Sequence, residues 1–286
     1  MSWFVADVQL RWTDLDAYGH VNNVMVVDYL QQARAQFLMS GPAHALLEEG
    51  CVVVSHQVAY RAAISYATDP LRVELGIAEL GAARFVVSYR LVQDDQLCVE
   101  ARTVLCPFDF ETQLPRRLTD VERDYLAGYR VTAEPLSELS APELAGRGAQ
   151  LDIFTRWSDP DRYGHVNNVR YLDYVLAGRV EMTSRADSSM ARAGMGTDGA
   201  IRWLVARQDI DYLVQLSFRL TPHQELTAPI KVGTSSVVLA TEIVDPDDGT
   251  VHARARVVLV STDSSGAKTP LPSSARQALN QLLVSG

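Results

Sequence analysis

The chain has 286 residues, of which 47% are hydrophobic and 21% charged, and it carries a net charge of −9. This is the composition of an ordinary globular protein, and its acidic balance argues against nonspecific binding to nucleic acid or to an anionic membrane surface. The length exceeds that of a usual domain and suits two units of about 140 residues, each able to bury its own core.

The first dozen residues lack the basic stretch, apolar run and small-residue site of a signal peptide. No apolar run approaches the roughly 18–20 residues a membrane-spanning helix needs, so a cytoplasmic protein is expected. Phe4, Ala6, Val8, Leu10 and Trp12 alternate with polar residues and predict a half-buried strand. A turn-rich segment, 14–19, leads to Asn22 and Asn23, whose side chains suit the start of a helix. Val26, Val27, Leu30, Ala33, Phe37 and Leu38 then recur at helical spacing, with Asp28, Gln31, Gln32 and Gln36 as a polar stripe, until Gly41 and Pro42 stop the helix after about Met39.

Beyond it the period changes. Residues 51–67, 71–80, 84–93 and 97–108 are valine-rich and alternating, which predicts four strands in a meander. A short helix is expected over 119–129, and 133–148 (AEPLSELSAPELAGRG) has the composition of a connector. The plan then repeats. A second, more apolar helix contains Tyr171, Leu172, Tyr174, Val175 and Val180, and strands are expected over 201–218, 226–232, 235–244 and 251–261, with DPDDG (245–249) as a turn. The predicted organisation is α+β, with domains at 1–132 and 149–286 and a linker at 133–148.

The two halves are most alike in one place. RWTDLDAYGHVNNV (11–24) recurs as RWSDPDRYGHVNNV (156–169), 145 residues later, with eleven of fourteen positions identical. Within this chain it is the stretch least free to change. Cys51, Cys98 and Cys106 have no zinc-ligand spacing, and no GxSxG string is present. Neither a metal nor another cofactor is expected, and the thiols are expected to be reduced and inert.

DxDxxGHVNN entering a long helix, followed by a valine-rich antiparallel meander, resembles the hotdog-fold acyl-CoA thioesterases of the 4-hydroxybenzoyl-CoA thioesterase type and the related acyl-ACP thioesterases. The resemblance covers both halves. It implies two hotdog domains, each a long central helix wrapped by a five-stranded antiparallel sheet, paired within the chain as a pseudo-dimer with acyl-thioester sites at the interface. It also implies an acyl-CoA or acyl carrier protein thioester as substrate, a place in fatty acid metabolism, and a homo-oligomer of tandem chains as one assembly.

Thioester hydrolysis needs a group that stabilises charge on the carbonyl oxygen and one that activates water or attacks the carbon. A helix amino terminus supplies the first through unpaired N–H groups and its positive dipole end, which points to the backbone amides of Asn23 and Asn168. Matched to the family motif, Asp16 and Asp161 are the candidate general bases or nucleophiles, and His20 and His165 are candidates for handling the proton. Asn22 and Asn167, with Gly19 and Gly164, complete the candidate substrate-binding positions.

A plainer reading stands beside this one: the glycines make a turn, Asn22 and Asn167 cap the helix, and the aspartates, Asp14 and Asp159 above all, bind loop amides. Tyr60 and Tyr212 are expected to be core or interface aromatics. The chain also departs from many relatives. Where they place a helix tyrosine it has Val26 and Tyr171, and where they place one or two helix glutamates it has Gln31 and Gln32, then Leu176 and Ala177, although Arg34 and Arg179 are kept. These departures motivate the alternative of a non-catalytic acyl-thioester binding or regulatory protein. A hotdog hydratase is a third reading, weakened by the spacing of Asp16 and His20, four residues apart where five are expected.

Overall fold

The structure, a computed structural model, describes residues 2–187, 190 and 201–285. The chain divides into two compact units, Met1–Ser137 and Glu138–Gly286. Unit 1 contains β1 (Phe4–Val8), α1 (Asn23–Met39), α2 (Ala45–Glu48), β2 (Cys51–Tyr60), β3 (Leu71–Leu80), β4 (Phe85–Gln93), β5 (Gln96–Asp109), β6 (Leu114–Pro115) and α3 (Asp120–Gly128). Unit 2 contains β7 (Ala149–Ile153), α4 (Asn168–Ala186), β8 (Arg202–Tyr212), β9 (His223–Val232), β10 (Ser236–Val244), β11 (Val251–Thr262) and α5 (Ser273–Gln281).

Among the described residues each unit has five principal strands, all antiparallel, and one long helix. In unit 1 the order is β1-β3-β4-β5-β2, with the short β6 paired to β5. Unit 2 has the matching order β7-β9-β10-β11-β8. Only three consecutive strands, β3-β4-β5 and β9-β10-β11, form a meander, so the expected four-stranded meander is corrected. The strand after each helix pairs instead with the last strand of its unit, and the strand before the helix takes the open edge of the meander.

The connection explains this difference. A hairpin between β2 and β3 would need a tight turn, whereas residues 61–70 form a long excursion that supports the repeated motif. The Val21 N–H donates to the Ile64 carbonyl at 2.8 Å and the Gln9 side-chain amide to the Thr68 carbonyl at 3.1 Å. Residues 61–67 and 213–218 therefore leave the sheet, although their apolar alternation extends the strands on paper. By contrast β4 and β5 are joined tightly through Asp94 and Asp95, both at positive φ (50° and 60°), as the right-handed twist of a two-residue hairpin requires.

The long helices bury the faces their spacing predicts. Val26, Val27, Leu30, Ala33 and Phe37 of α1 are at most 2% exposed, and the helix packs against β1 and β3. Its end is closed by Phe4, Tyr125 and Tyr129, whose ring centres lie 5.0–5.3 Å from that of Phe37. Helix α4 packs against β7, β9 and β10. Residues 133–148 have no helix or strand, yet Leu144 is buried against Leu226, Ala228 and Ala240. Its N–H donates to a carboxylate oxygen of Glu242 at 3.2 Å.

Candidate active site

The repeated motif is a closed loop that delivers the chain into the helix, and its hydrogen bonds recur in both units. Asp14 is 3% exposed and serves as a structural post. Its Oδ2 accepts from the Arg11 N–H at 3.1 Å and from the Tyr29 hydroxyl at 2.7 Å, while its carbonyl accepts from the Asn22 N–H at 2.8 Å. Asp159 does the same with Arg156 (2.6 Å), Tyr174 (2.6 Å) and Asn167 (2.9 Å). Apolar spacing places Tyr174 on its helix but does not reveal that it and Tyr29 serve these aspartates, although the two tyrosines keep the motif's 145-residue offset.

Inside this frame a tighter loop holds Asp16 and His20. The Asp16 N–H donates to the His20 carbonyl at 2.7 Å, and the Gly19 N–H to the Asp16 carbonyl at 3.0 Å. The Asp16 Oδ1 accepts from the N–H groups of Tyr18 (2.8 Å) and His20 (3.2 Å). In unit 2 the Asp161 N–H donates to the His165 carbonyl, the Gly164 N–H to the Asp161 carbonyl, and the Tyr163 N–H to Asp161 Oδ1, at 2.8, 3.0 and 2.8 Å. In both loops these bonds to the carboxylate are made by Oδ1. Gly19 and Gly164 sit at φ +76° and +81° with open space where a Cβ would be. Their backbone conformation, not crowding, is what calls for glycine there.

Asn22 and Asn167 are the helix caps. Their side-chain oxygens accept from the N–H groups of Val24 (3.1 Å) and Val169 (2.9 Å), the partners expected of an asparagine in this position. In α1 the Met25 and Val26 N–H groups turn back to the Asn22 carbonyl, and the Asn23 N–H is the first-turn donor left over. The Asn23 carbonyl accepts from the Tyr60 hydroxyl at 2.9 Å, and that of Asn168 from Tyr212 at 2.8 Å. These two tyrosines therefore bolt the strand after the helix to the helix's first residue.

The units differ at one wall of the site. Tyr171 of α4, whose counterpart is Val26, is 3% exposed, and its oxygen accepts from the Leu216 N–H at 2.7 Å. The Leu216 carbonyl in turn accepts from the Val166 N–H at 2.9 Å. Burial raises the Asp161 carboxyl above its ordinary range, against the lowering pull of the Tyr163 N–H and of the His165 and Arg162 charges. A carboxylate raised in this way is a stronger base than an ordinary aspartate. Arg34 is 5% exposed and donates to the Tyr89 hydroxyl at 3.0 Å, so the retained arginine braces α1 against β4. Burial also raises the pKa of all three thiols, which disfavours the thiolate that a cysteine nucleophile needs.

The chain matches the thioesterase-like superfamily twice, over residues 10–134 and 155–279. Comparison with curated protein sequences gives no match. Among solved structures, the 12:0-ACP thioesterase from Umbellularia californica superimposes with a TM-score of 0.72 at 14% identity, covering 91% of this chain and 94% of its own. An acyl-ACP thioesterase from Bacteroides thetaiotaomicron gives a TM-score of 0.63 at 14% identity, covering 90% and 97%. At these identities the structural likeness is one of fold. The two family matches together span most of the sequence, and the chain belongs to the thioesterase-like superfamily as a tandem of two hotdog units, with thioester hydrolysis as its enzyme class.

Proposed function

We propose that the protein hydrolyses acyl-CoA thioesters, with Asp161 as the principal catalytic carboxylate and Asp16 as its counterpart in unit 1. The observation that carries this reading is the Asp161 loop. The carboxylate accepts a loop N–H through Oδ1, is raised in pKa by burial, and lies six residues before the cap of a long helix.

In this reading Asp161 Oδ2 takes a proton from water as the water oxygen bonds to the thioester carbon. The helix amino terminus, through the N–H of Asn168 or of Asn23, stabilises the oxyanion. Collapse of the tetrahedral intermediate breaks the carbon–sulfur bond, and His165 or His20 returns a proton to the departing thiolate. Attack by the carboxylate itself, through an anhydride, uses the same residues. Single-turnover reaction in heavy-oxygen water separates the two routes, since only the anhydride route labels the aspartate. Three free cysteines support a reducing, cytoplasmic setting, and fatty acid metabolism is the natural context for such a substrate. Among the described residues no helix is long and apolar enough to cross a membrane.

The decisive experiment measures thiol release from acyl-CoA and acyl carrier protein thioesters of several lengths, for the wild type, Asp16→Asn, Asp161→Asn and the double variant. Loss of about 10²–10⁴-fold in kcat/KM for Asp161→Asn, with the fold intact, is the expected result. Full activity in the double variant overturns the assignment. A second reading, a non-catalytic acyl-thioester binder, is favoured by Gln31, Gln32, Leu176 and Ala177 in place of helix carboxylates. Tight acyl-CoA binding without turnover at any chain length would establish it.

A further inference from the structure

At one end of the unit 2 sheet, the first residue of β9, the turn after β10 and the second residue of β11 bring together His223, Asp245 and His252. One donor atom from each lies within 4.8 Å of the other two. Both imidazoles are buried, at 2% and 7% exposure.

Backbone carbonyls decide where the imidazole protons sit. Nδ1 of His252 faces the carbonyls of Gln215 (3.1 Å) and Val214 (3.4 Å), and Nε2 of His223 faces the carbonyl of Ser217 (3.3 Å). Carbonyls only accept, so these two nitrogens carry the hydrogens. The opposite nitrogens, Nδ1 of His223 and Nε2 of His252, then present lone pairs, and each is buried with no hydrogen-bond partner. Two bare lone pairs cannot bond to each other, and burying them unsatisfied costs free energy. Neutral imidazoles whose far N–H is held by a carbonyl are the usual form of metal-ligating histidines.

We propose that His223 Nδ1, His252 Nε2 and the Asp245 carboxylate form a binding site for a divalent transition metal ion, zinc being the best match to two imidazoles and one carboxylate. Tetrahedral zinc with bonds of about 2.0–2.1 Å needs ligand atoms roughly 3.4 Å apart, which small side-chain rotations reach from the observed spacing. Asp245 shares its charge with Arg219, whose Nη1 donates to Oδ2 at 2.7 Å. The turn also carries Asp247 and Asp248, so the local balance stays negative despite the guanidinium.

The role of the ion is structural. The carbonyls that orient the histidines belong to residues 214–217, the same loop whose Leu216 holds Tyr171 and Val166 beside the motif. Metal binding ties that loop to the sheet and stiffens the wall of the unit 2 site. Among the described residues of unit 1 the counterparts, by strand register and matching backbone bonds, are Leu71, Gln93 and Cys98, which do not repeat the ligand set.

The test uses the full-length chain stripped with a chelator and titrated calorimetrically with zinc chloride and cobalt chloride, beside His223→Leu, which installs unit 1's residue, and Asp245→Asn. The proposal expects one saturable ion per chain and a visible cobalt spectrum without a thiolate charge-transfer band. It also expects slower hydrogen exchange of the Leu216 amide on zinc addition, and loss of all three signals in His223→Leu. In Asp245→Asn, which keeps the shape of the side chain, affinity falls at least tenfold. No saturable binding by the folded wild-type chain, unchanged binding by His223→Leu, or a cobalt spectrum showing cysteine ligation would each overturn it.

Discussion

Glu225 is a carboxyl in the wrong place for an ionised group, and replacing it tests how far burial governs this fold. It lies on β9 with no measurable exposure. Thr227 donates its hydroxyl to Oε1 at 2.9 Å, Oε2 has no partner, and a Cβ at Gly178 of α4 would collide with the carboxyl. Burial pushes its pKa up to about 8 from 4.5, only partly offset by Thr227 and the Gly178 backbone. Unfolded chain loses this proton near 4.5 while folded chain keeps it to about 8, so the folded state binds more protons between the two. The stability this proton carries is complete below 4.5 and is lost progressively as pH rises to about 8. At about 1.4 kcal/mol per pK unit the whole loss is roughly 5 kcal/mol. Glu225→Gln removes the titration. Calorimetric unfolding of both proteins from about pH 5 to about pH 8.5 should show the wild type losing several kcal/mol relative to the variant. A difference that stays constant across that range refutes the reasoning. The same geometry has a second consequence, because unit 1 places Ala33 and Val73 where unit 2 has Gly178 and Glu225. Gly178→Ala alone should destabilise, and Gly178→Ala with Glu225→Val should recover most of the loss, a coupling read from a double-mutant cycle.

Tyr29→Phe removes the hydroxyl that donates to buried Asp14 and should cost about 1.5–3 kcal/mol, read as a fall in Tm with the far-UV spectrum unchanged; no change in Tm would show Asp14 to be satisfied without it. With Asp161 as the proposed general base and its pKa raised by burial, kcat/KM should fall as pH drops through a value above that of an ordinary aspartate. An acid limb at the ordinary position would assign the base elsewhere. Gly19→Ala meets open space but must hold φ near +76°, so a stability loss of about 1–2 kcal/mol is expected from backbone strain alone. Arg116 pairs through both terminal nitrogens with Glu122, itself 1% exposed. Arg116→Ala strands that carboxylate and should cost about 3 kcal/mol in denaturant unfolding, whereas removing both partners together should cost less.

Much of the fold was legible in the sequence because its signals are local. The cap at Asn22, the stop at Gly41 and Pro42 and the apolar spacing between them delimit α1 within a residue of Asn23–Met39, since a helix closes its hydrogen bonds four residues apart. The repeated loop was equally readable, because the bonds from Asp16 to the N–H groups and carbonyls of Tyr18, Gly19 and His20 span four residues or fewer. Its reading as a capped turn accounts for Asn22, Asn167 and the two glycines, and Asp14 and Asp159 are structural as the plainer reading has it. Strand order was not local. Alternation marks residues 51–67 as extended but is silent on which neighbour β2 takes, and the choice of β5 over β3 depends on residues 61–70 bending back to hold Val21. The same limit hid Glu225 beneath Gly178, 47 residues away, and His223, Asp245 and His252, separated by 22 and 7 residues with no motif spacing to betray them. The sequence by itself determined two homologous units, their helices and the loop that carries the candidate carboxylates. Only the tertiary structure decided which strands lie side by side and which buried polar groups face one another, because those contacts join residues whose separation along the chain carries no periodic trace.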